Sequence, residues 1–373
     1  MSEPATETPR MFSQSDFDKV TQVVTSVFQT EESLLENNMP TYYLKQPQET
    51  KQAFLKLLKN LKPMNLTPLL RRDGKRVVLR IIPKPAVKPS NILVNWALFL
   101  ATIATTFITG YLLSEGVTDP LIGGVTFTTA IMIILGLHEM GHKLTADKEG
   151  IDATPPYFIP GPPPIGDFLG IGTFGAVIFQ KSLPPNKDSL FDIGSSGPIM
   201  SFVLALAATI IGLMYSPMFP ITGNETGFLP VPLIFSVIAE TVIHIPSNYY
   251  VRLHPVAFAG WVGMLVTMLN LMPAAMLDGG HISRSLFGER TRLVLTAFSI
   301  LSLIVISPIM AIFVFFMAMT KHPGPLDDVS DLSSSRKFVF VGLVVIFVLS
   351  SFLHYFLFYG IDVLRGLLGF LAL

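Results

Sequence analysis

Two histidines and a glutamate stand in an H-E-x-x-H arrangement at His138-Glu139-Met140-Gly141-His142. On a helix, residues i and i+4 share a face, so His138 and His142 can bind one metal ion together. Glu139 then lies close enough to accept a proton from water at that metal. The run from Ile131 to Leu137 carries no charge, and ionisable groups within such segments are expensive and by default functional. The pattern predicts a metal-dependent hydrolytic site inside a membrane.

A catalytic zinc ion takes three protein ligands and leaves a fourth position for water, so one ligand is still to be found. The chain has no cysteine, and the third ligand must therefore be a histidine or a carboxylate. Asp278 follows an apolar run and precedes Gly279 and Gly280, which allow the backbone to bend towards the metal. A turn that ends a helix is the structural alternative for this segment, and His281 is a rival ligand. We predict one Zn²⁺ per chain at His138, His142 and Asp278, although such a ligand set also accepts Co²⁺ or Fe²⁺.

Asn270 lies in the same apolar run with no charged residue near it. Its amide can donate a hydrogen bond to a carbonyl oxygen that gains negative charge during hydrolysis. A hydrogen bond between two membrane helices is an equally good interpretation from spacing alone.

The composition indicates that the site is embedded in a multi-pass membrane protein. Half of the residues are hydrophobic and 14% are charged, against about 25% charged in an average soluble domain. The mean hydropathy is +0.55. The formal net charge is zero, so the charge balance does not predict a nucleic-acid partner, and membrane lipids are the expected surroundings.

Apolar runs of about 20 residues, long enough to cross a bilayer, predict six spans. They lie at 92–114, 120–145, 190–214, 254–275, 292–318 and 338–360, with a shorter apolar stretch at 229–245. Basic residues before the first span and after the second, Lys143 and Lys148 among them, place the N-terminal part in the cytoplasm of a cell-membrane protein. This topology assigns the loop at 320–337 to the outer side, where its basic residues fit the rule poorly.

The chain divides into three predicted parts. Residues 1–90 form a small soluble α+β domain, residues 91–285 the membrane core with the metal site, and residues 286–373 a set of C-terminal transmembrane helices. In the first part, 16–37 and 48–61 have helical spacing, and 76–82 alternates as a strand does. The predicted fold is a membrane all-α core of about six transmembrane helices with a re-entrant β-hairpin, plus this N-terminal domain.

The hairpin is predicted from the segment 151–189, between the second and third spans. Six prolines between Pro155 and Pro164 exclude a helix there. The following run from Leu169 to Phe179 is apolar, rich in glycine and partly β-branched, and it favours a short strand or hairpin. An exposed strand edge can pair with an extended substrate; the alternative is a re-entrant loop that only covers the site.

These motifs resemble those of the site-2 protease family of intramembrane zinc metallopeptidases. The resemblance rests on HEMGH at 138–142, on NLMPAAMLDGG at 270–280 and on the stretch that begins at Gly172, and it covers residues 91–285. It implies that His138, His142 and Asp278 bind zinc, that Glu139 is the general base and acid, and that Asn270 assists the intermediate. The N-terminal extension is similar to the branch shared by archaea, cyanobacteria and chloroplasts.

By this resemblance the chain is an intramembrane zinc endopeptidase whose partners are transmembrane protein substrates. Two other functions place similar residues in membrane spans: a metal-ion transporter and a catalytically inactive membrane scaffold. A transporter should stack polar residues through the whole bilayer depth, whereas here the run that precedes His138 is apolar back to Thr129. An inactive scaffold would be free to lose Glu139.

Overall fold

The computed structural model of the chain describes residues 12–85, 90–166, 168–223, 229–306, 308–320 and 322–352. Most of these residues are helical. Three helices are long and apolar enough to cross a membrane, and they coincide with the first three predicted spans.

Residues 12–83, the N-terminal sheet unit, pack two helices on one face of a four-stranded antiparallel sheet. The elements are α1 (Gln14–Thr25), β1 (Thr30–Glu36), β2 (Met39–Leu44), α2 (Lys51–Leu61), β3 (Leu66–Asp73) and β4 (Arg76–Pro83). The strand order is β1-β2-β4-β3. Val20 of α1, Leu57 of α2 and Leu79 of β4 belong to one buried hydrophobic cluster. This shared core between the helices and the sheet stabilises the unit.

The prediction of a helix over 16–37 is wrong in its second half. Residues 30–36 form a strand that pairs with β2, and the turn between the two strands places Asn37 and Asn38 at φ of 49° and 62°. Two successive residues with positive φ close a tight hairpin, and asparagine tolerates this conformation better than most residues. The hairpin turn therefore overrides the helical spacing of the sequence.

The helical part contains eight further helices within the described residues. They are α3 (Ile92–Leu113), α4 (Pro120–Lys148), α5 (Lys187–Met214), α6 (Leu233–Ile243), α7 (Pro255–Leu271), α8 (Asp278–Ile306), α9 (Pro308–Ala318) and α10 (Ser334–Ser350). Short strands β7 (Met218–Pro220) and β8 (Tyr249–Val251) pair antiparallel between α5 and α7. The stretch predicted at 229–245 contains the short helix α6, and the predicted span 338–360 extends beyond the described residues at its end.

The predicted single span at 292–318 is divided into two helices. The helix α8 runs away from the segment that contains Asp278 and bends at Gly288 (φ 78°). The helix α9 then runs back towards the start of α8. Leu303 of α8 shares a buried cluster with Ala311 and Val314 of α9. His322, just beyond α9, lies 2.8 Å from His281 near the start of α8 (Nε2 to Nδ1), so the two helices form a hairpin whose ends meet.

Residues 322–333, which we call the strap, connect α9 to α10 and join the N-terminal sheet unit to the helical part. Leu326 accepts a hydrogen bond from Leu70 of β3 (2.9 Å) and donates one to Pro184, which precedes α5 (2.8 Å). Arg71 of β3 adds a bond to the Leu326 carbonyl (2.7 Å). The strap thus lies beside the N-terminal unit, and the expectation that the loop 320–337 lies on the opposite side is wrong.

Charged side chains fasten the strap on both sides. Arg284 of α8 donates two hydrogen bonds to the Asp328 carboxylate (3.0 and 2.6 Å). Asp188 of α5 accepts from the Ser333 hydroxyl (2.6 Å) and from Lys51 of α2 (3.0 Å). Bidentate and shared pairs of this kind combine charge with fixed geometry, so they define how the two parts of the chain meet.

Burial keeps His322 neutral. It lowers the pKa of His322 to about 2, because an imidazolium removed from water loses its hydration. Nδ1 of His322 accepts from the Gly324 amide (2.9 Å), so its Nε2 carries the proton and donates to His281. The strap is therefore tied to the first turn of α8 by a defined tautomer.

The segment between α4 and α5 contains the hairpin of β5 (Tyr157–Pro160) and β6 (Thr173–Val177), which pair antiparallel. At one end of this hairpin, the Asn95 amide of α3 donates to the Pro156 carbonyl (2.9 Å). At the other end, the Thr105 hydroxyl of α3 lies 2.6 Å from the Gly172 carbonyl oxygen. The hairpin therefore runs alongside α3.

Replacement of Arg284 by glutamine tests the strap. Arg284 and Asp328 are 8% and 20% exposed, and removal of one partner of a buried ion pair costs about 3 kcal/mol. We expect Arg284→Gln to lower the midpoint of thermal unfolding of the detergent-solubilised protein clearly. Arg76→Gln is the matched control, since Arg76 and Glu32 are 60% and 51% exposed and such pairs contribute about 0–1 kcal/mol. Equal midpoints for the two variants would contradict the role of the strap.

Candidate metal centre

The helix α4 supplies three of the predicted site residues. His138, Glu139 and His142 lie on its buried side, with exposed fractions of 2%, 6% and 6%. Their candidate ligand atoms all lie within 4.8 Å of one another. The spacing of four residues brings the two imidazoles together because a helix turns once every 3.6 residues, and their Nε2 atoms are 3.1 Å apart.

Asp278 approaches the histidines from the segment after α7. The chain leaves α7 at Leu271, reverses through Ala275 (φ 46°) and enters α8 at Asp278. A Cβ atom at Gly279 would lie 2.2 Å from the Leu271 carbonyl oxygen, so only glycine permits this tight reversal. Asp278 Oδ2 lies 3.3 Å from Nε2 of His138 and 3.3 Å from Nε2 of His142.

The hydrogen bonds of the two imidazoles determine which nitrogen carries the proton. His142 Nδ1 lies 2.7 Å from the carbonyl oxygen of Ile193, which can only accept, so Nδ1 must be the donor. His138 Nδ1 lies 3.0 Å from the Ser201 hydroxyl, and this hydroxyl in turn donates to the Pro198 carbonyl (3.2 Å). In a neutral ring whose Nδ1 donates, Nε2 carries the lone pair that metal binding requires, so these partners suit both histidines to bind a metal through Nε2.

The residues fit a metal ion. Three electron-pair donors, the two Nε2 atoms and Asp278 Oδ2, converge at 3.1–3.3 Å, and Asp278 Oδ2 is buried without a hydrogen-bond partner. Ligand atoms about 2.0–2.1 Å from a tetrahedral zinc ion lie about 3.3 Å from one another. A cation at the centre of this group would satisfy all three atoms.

Glycine keeps the space in front of the histidines open. A Cβ atom at Gly197 of α5 would lie 2.3 Å from His142 Nε2 and 2.8 Å from His138 Nε2. Every other residue type would therefore collide with the candidate ligands at this position.

Asn270 and His281, the other two residues singled out in the sequence, have different surroundings. The Asn270 amide nitrogen lies 3.3 Å from His138 Nε2, at the edge of the candidate centre. His281 Nδ1 bonds to His322 (2.8 Å), whereas Asp278 Oδ2 lies 3.3 Å from Nε2 of both His138 and His142. The geometry favours Asp278 over His281 as the third ligand.

Several residues of this centre were not predicted from the sequence. Ser201 orients His138 and bonds to Thr267 of α7 (2.9 Å), while Ile193 orients His142 through its backbone. A carbonyl oxygen has no sequence signature, and serine and threonine are common in membrane helices. Only the small-residue run at 194–198 was a visible signal, because such runs allow helices to pack closely.

Comparison with known proteins agrees with this geometry. The profile of peptidase family M50 matches residues 126–314, just over half of the chain. The probable zinc metalloprotease EGY1, chloroplastic, of Oryza sativa subsp. japonica is 28% identical over 238 residues, which cover 59% of this chain and 39% of that protein. The protein of the same name from Arabidopsis thaliana is 28% identical over 236 residues, 60% of this chain and 41% of that protein.

The probable zinc metallopeptidase EGY3, chloroplastic, of Arabidopsis thaliana is 31% identical over 194 residues, which cover 48% of this chain and 31% of that protein. The chain thus spans well under half the length of these relatives. No solved structure matches it. Since the family profile covers α4 with its histidines, α5, α7 and the start of α8 with Asp278, the chain belongs to peptidase family M50.

Proposed function

We propose that this chain is an intramembrane zinc endopeptidase that hydrolyses peptide bonds within the transmembrane segments of other proteins. One observation carries the proposal: three candidate ligand atoms, Nε2 of His138, Nε2 of His142 and Oδ2 of Asp278, converge beside Glu139 on apolar helices. Membership of peptidase family M50 favours this function over a metal-ion transporter or an inactive scaffold. Transmembrane proteins are the proposed substrates, and membrane lipids surround the helices.

In this proposal, His138, His142 and Asp278 hold one Zn²⁺ ion. When bound, zinc acts as a Lewis acid that makes water nucleophilic near neutral pH. Glu139, next to His138 on the same helix, accepts the proton of the attacking water and returns it to the nitrogen of the leaving amine. The Asn270 amide donates to the oxygen of the attacked carbonyl as that oxygen gains negative charge.

We further propose a topology in which α3, α4, α5, α7 and α10 cross the membrane and α8 and α9 enter it as a helical hairpin. The contacts at each end of these helices support it: the strap touches the starts of α5 and α8, while the Leu233 amide of α6 donates to Ser351, beyond α10 (3.1 Å). Residues 1–90 form a cytoplasmic domain of a multi-pass cell-membrane protein. Residues 91–285 form the peptidase core, and residues 286–373 the C-terminal helices.

The hairpin of β5 and β6 is the proposed substrate platform and re-enters the membrane region. The backbone amide of Ile178, directly after β6, interacts with the Glu139 carboxylate, so the strand passes beside the general base. Phe174 and Phe179 are 67% and 59% exposed. An extended substrate that pairs with this strand would present its peptide bonds to Glu139, because strand addition aligns backbone with backbone.

Replacement of Glu139 by glutamine separates metal binding from proton transfer. We expect Glu139→Gln to retain zinc and to lower the cleavage rate of a single-span test substrate in detergent by about 10²–10⁴-fold, the usual contribution of a general base. Glu240→Gln, on the exposed side of α6, is the matched control and should cleave normally. A Glu139→Gln protein that cleaves at the wild-type rate would refute the proposed mechanism.

Metal analysis of the purified protein tests the ligand set. We expect one equivalent of zinc in the wild type and in His244→Ala, whose imidazole is exposed after α6. His142→Ala and Asp278→Ala should each lose most of the metal, since two ligands hold zinc far more weakly than three. Full zinc occupancy in both variants would show that the ligands lie elsewhere.

The absence of cysteine makes the topology directly testable with single cysteines. Lys75→Cys in the N-terminal unit and Asp331→Cys in the strap should react with a membrane-impermeant maleimide from the same side of sealed vesicles. Asn248→Cys, between α6 and α7, should react from the opposite side. Labelling of Asp331→Cys and Lys75→Cys from different sides would overturn the topology.

A further inference from the structure

One side of α3 carries a row of polar residues in an otherwise apolar helix: Asn95, Thr102, Thr105, Thr106 and Thr109. Asn95 is 7% exposed, and three of the threonines are fully buried. A polar group within an apolar helix needs a hydrogen-bond partner, and the choice of partner divides this row into two classes.

Three of the threonines donate within their own helix. Thr102 bonds to the Leu98 carbonyl (2.8 Å), Thr106 to the Thr102 carbonyl (2.7 Å) and Thr109 to the Thr105 carbonyl (3.0 Å). Such bonds satisfy the hydroxyl groups within the helix itself and need no partner on another element.

Asn95 and Thr105 instead donate across to the β5–β6 hairpin. The Asn95 amide bonds to the Pro156 carbonyl (2.9 Å). The Thr105 hydroxyl lies nearer to the Gly172 carbonyl oxygen (2.6 Å) than to that of Ala101 in its own helix (3.0 Å). The two residues are ten positions apart, about 15 Å along a helix, which matches the length of a strand of four to five residues. They therefore hold both ends of the hairpin.

Close backbone contact reinforces the second of these bonds. Gly172 has φ of 75°, and a Cβ atom there would lie 2.8 Å from the Thr105 carbonyl oxygen and 2.8 Å from Thr106 Cα. The Gly172 carbonyl also accepts from the Gly161 amide (3.0 Å), so the bond to Thr105 links the closed end of the hairpin to α3.

The far side of the hairpin faces the candidate active site. Ile178 interacts with Glu139, and the Phe158 ring packs 3.6 Å from the position of a Cβ at Gly136 of α4. The hairpin is thus held between α3, which carries the two donors, and α4, which carries Glu139.

We propose that Asn95 and Thr105 are positioning residues of the peptidase site, which hold the hairpin in register with Glu139 so that a substrate strand added to it lies at the site. The proposal rests on the function proposed above. Neither residue touches the candidate ligands; each acts through the hairpin. Without these bonds the hairpin samples other positions, and apparent substrate affinity falls with the fraction of time spent in the correct one.

The test compares Thr105→Val with Thr102→Val in the full-length protein in detergent. The two changes are isosteric and lie on the same helix, but only the first removes a bond to the hairpin. We expect Thr105→Val to raise the amide hydrogen-exchange rates of 157–178 by about threefold to tenfold, the factor expected for one lost hydrogen bond. KM for a single-span test substrate should rise by a similar factor at nearly unchanged kcat and zinc content.

Thr105→Ser should restore both values, and Asn95→Leu should reproduce the loss at the other end of the hairpin. Exchange rates in Thr105→Val equal to those in Thr102→Val would overturn the proposal, and so would faster exchange with an unchanged KM. A wild-type protein that binds zinc but cleaves nothing would refute the proposed function instead, while the exchange comparison would still decide whether α3 anchors the hairpin.

Discussion

The structure depends on bringing three candidate ligand atoms, two imidazole nitrogens and one carboxylate oxygen, within 3.3 Å of one another inside a bundle of apolar helices. Buried polar atoms of this kind need a partner, here a cation, and a rigid support that keeps them in place. Close helix contacts provide the support. A Cβ at Gly141 of α4 would lie 2.9 Å from the Ser196 carbonyl oxygen, and one at Gly194 of α5 would lie 2.9 Å from that of Asp278. The helices that carry the candidate ligands therefore meet backbone to backbone, which leaves the imidazoles little freedom to turn away.

A second constraint follows from the position of the hairpin beside α3. Backbone that is not helical must find hydrogen-bond partners from protein when it lies among membrane helices. The strands β5 and β6 satisfy some of these backbone groups by pairing with each other. Asn95 and Thr105 of α3 satisfy two more, the carbonyl oxygens of Pro156 and Gly172. The same contacts hold the hairpin at the side of α3, and in the proposed mechanism they also keep it at a fixed distance from Glu139.

The strap connects the N-terminal sheet unit to the helices that carry the candidate metal centre. Its backbone bonds to β3 on one side and to the residues before α5 on the other, and Asp188 near the start of α5 is shared by Lys51 and Ser333. One turn further along α5, the Ile193 carbonyl orients His142. The N-terminal unit is therefore connected to the candidate metal centre through α5, and the strap adds a second connection through Arg284 and His281 of α8, the helix that begins with Asp278.

The sequence by itself determined the residues that meet at the centre. The i, i+4 spacing on one helix is a local property, and the polar Asp278 in an apolar chain is conspicuous, so His138, Glu139, His142 and Asp278 were predicted together and lie together. Family membership followed from the same motifs. Only the tertiary structure decided what orients them: Ser201, the Ile193 carbonyl and Gly197 act through space from α5, and no spacing along the chain reveals such contacts. It also decided that 292–318 folds back as a helical hairpin, because hydropathy predicts that a segment is buried but not the direction in which it runs. The tertiary structure likewise made 30–36 a strand, because the two-residue turn after it outweighs the helical periodicity of the sequence.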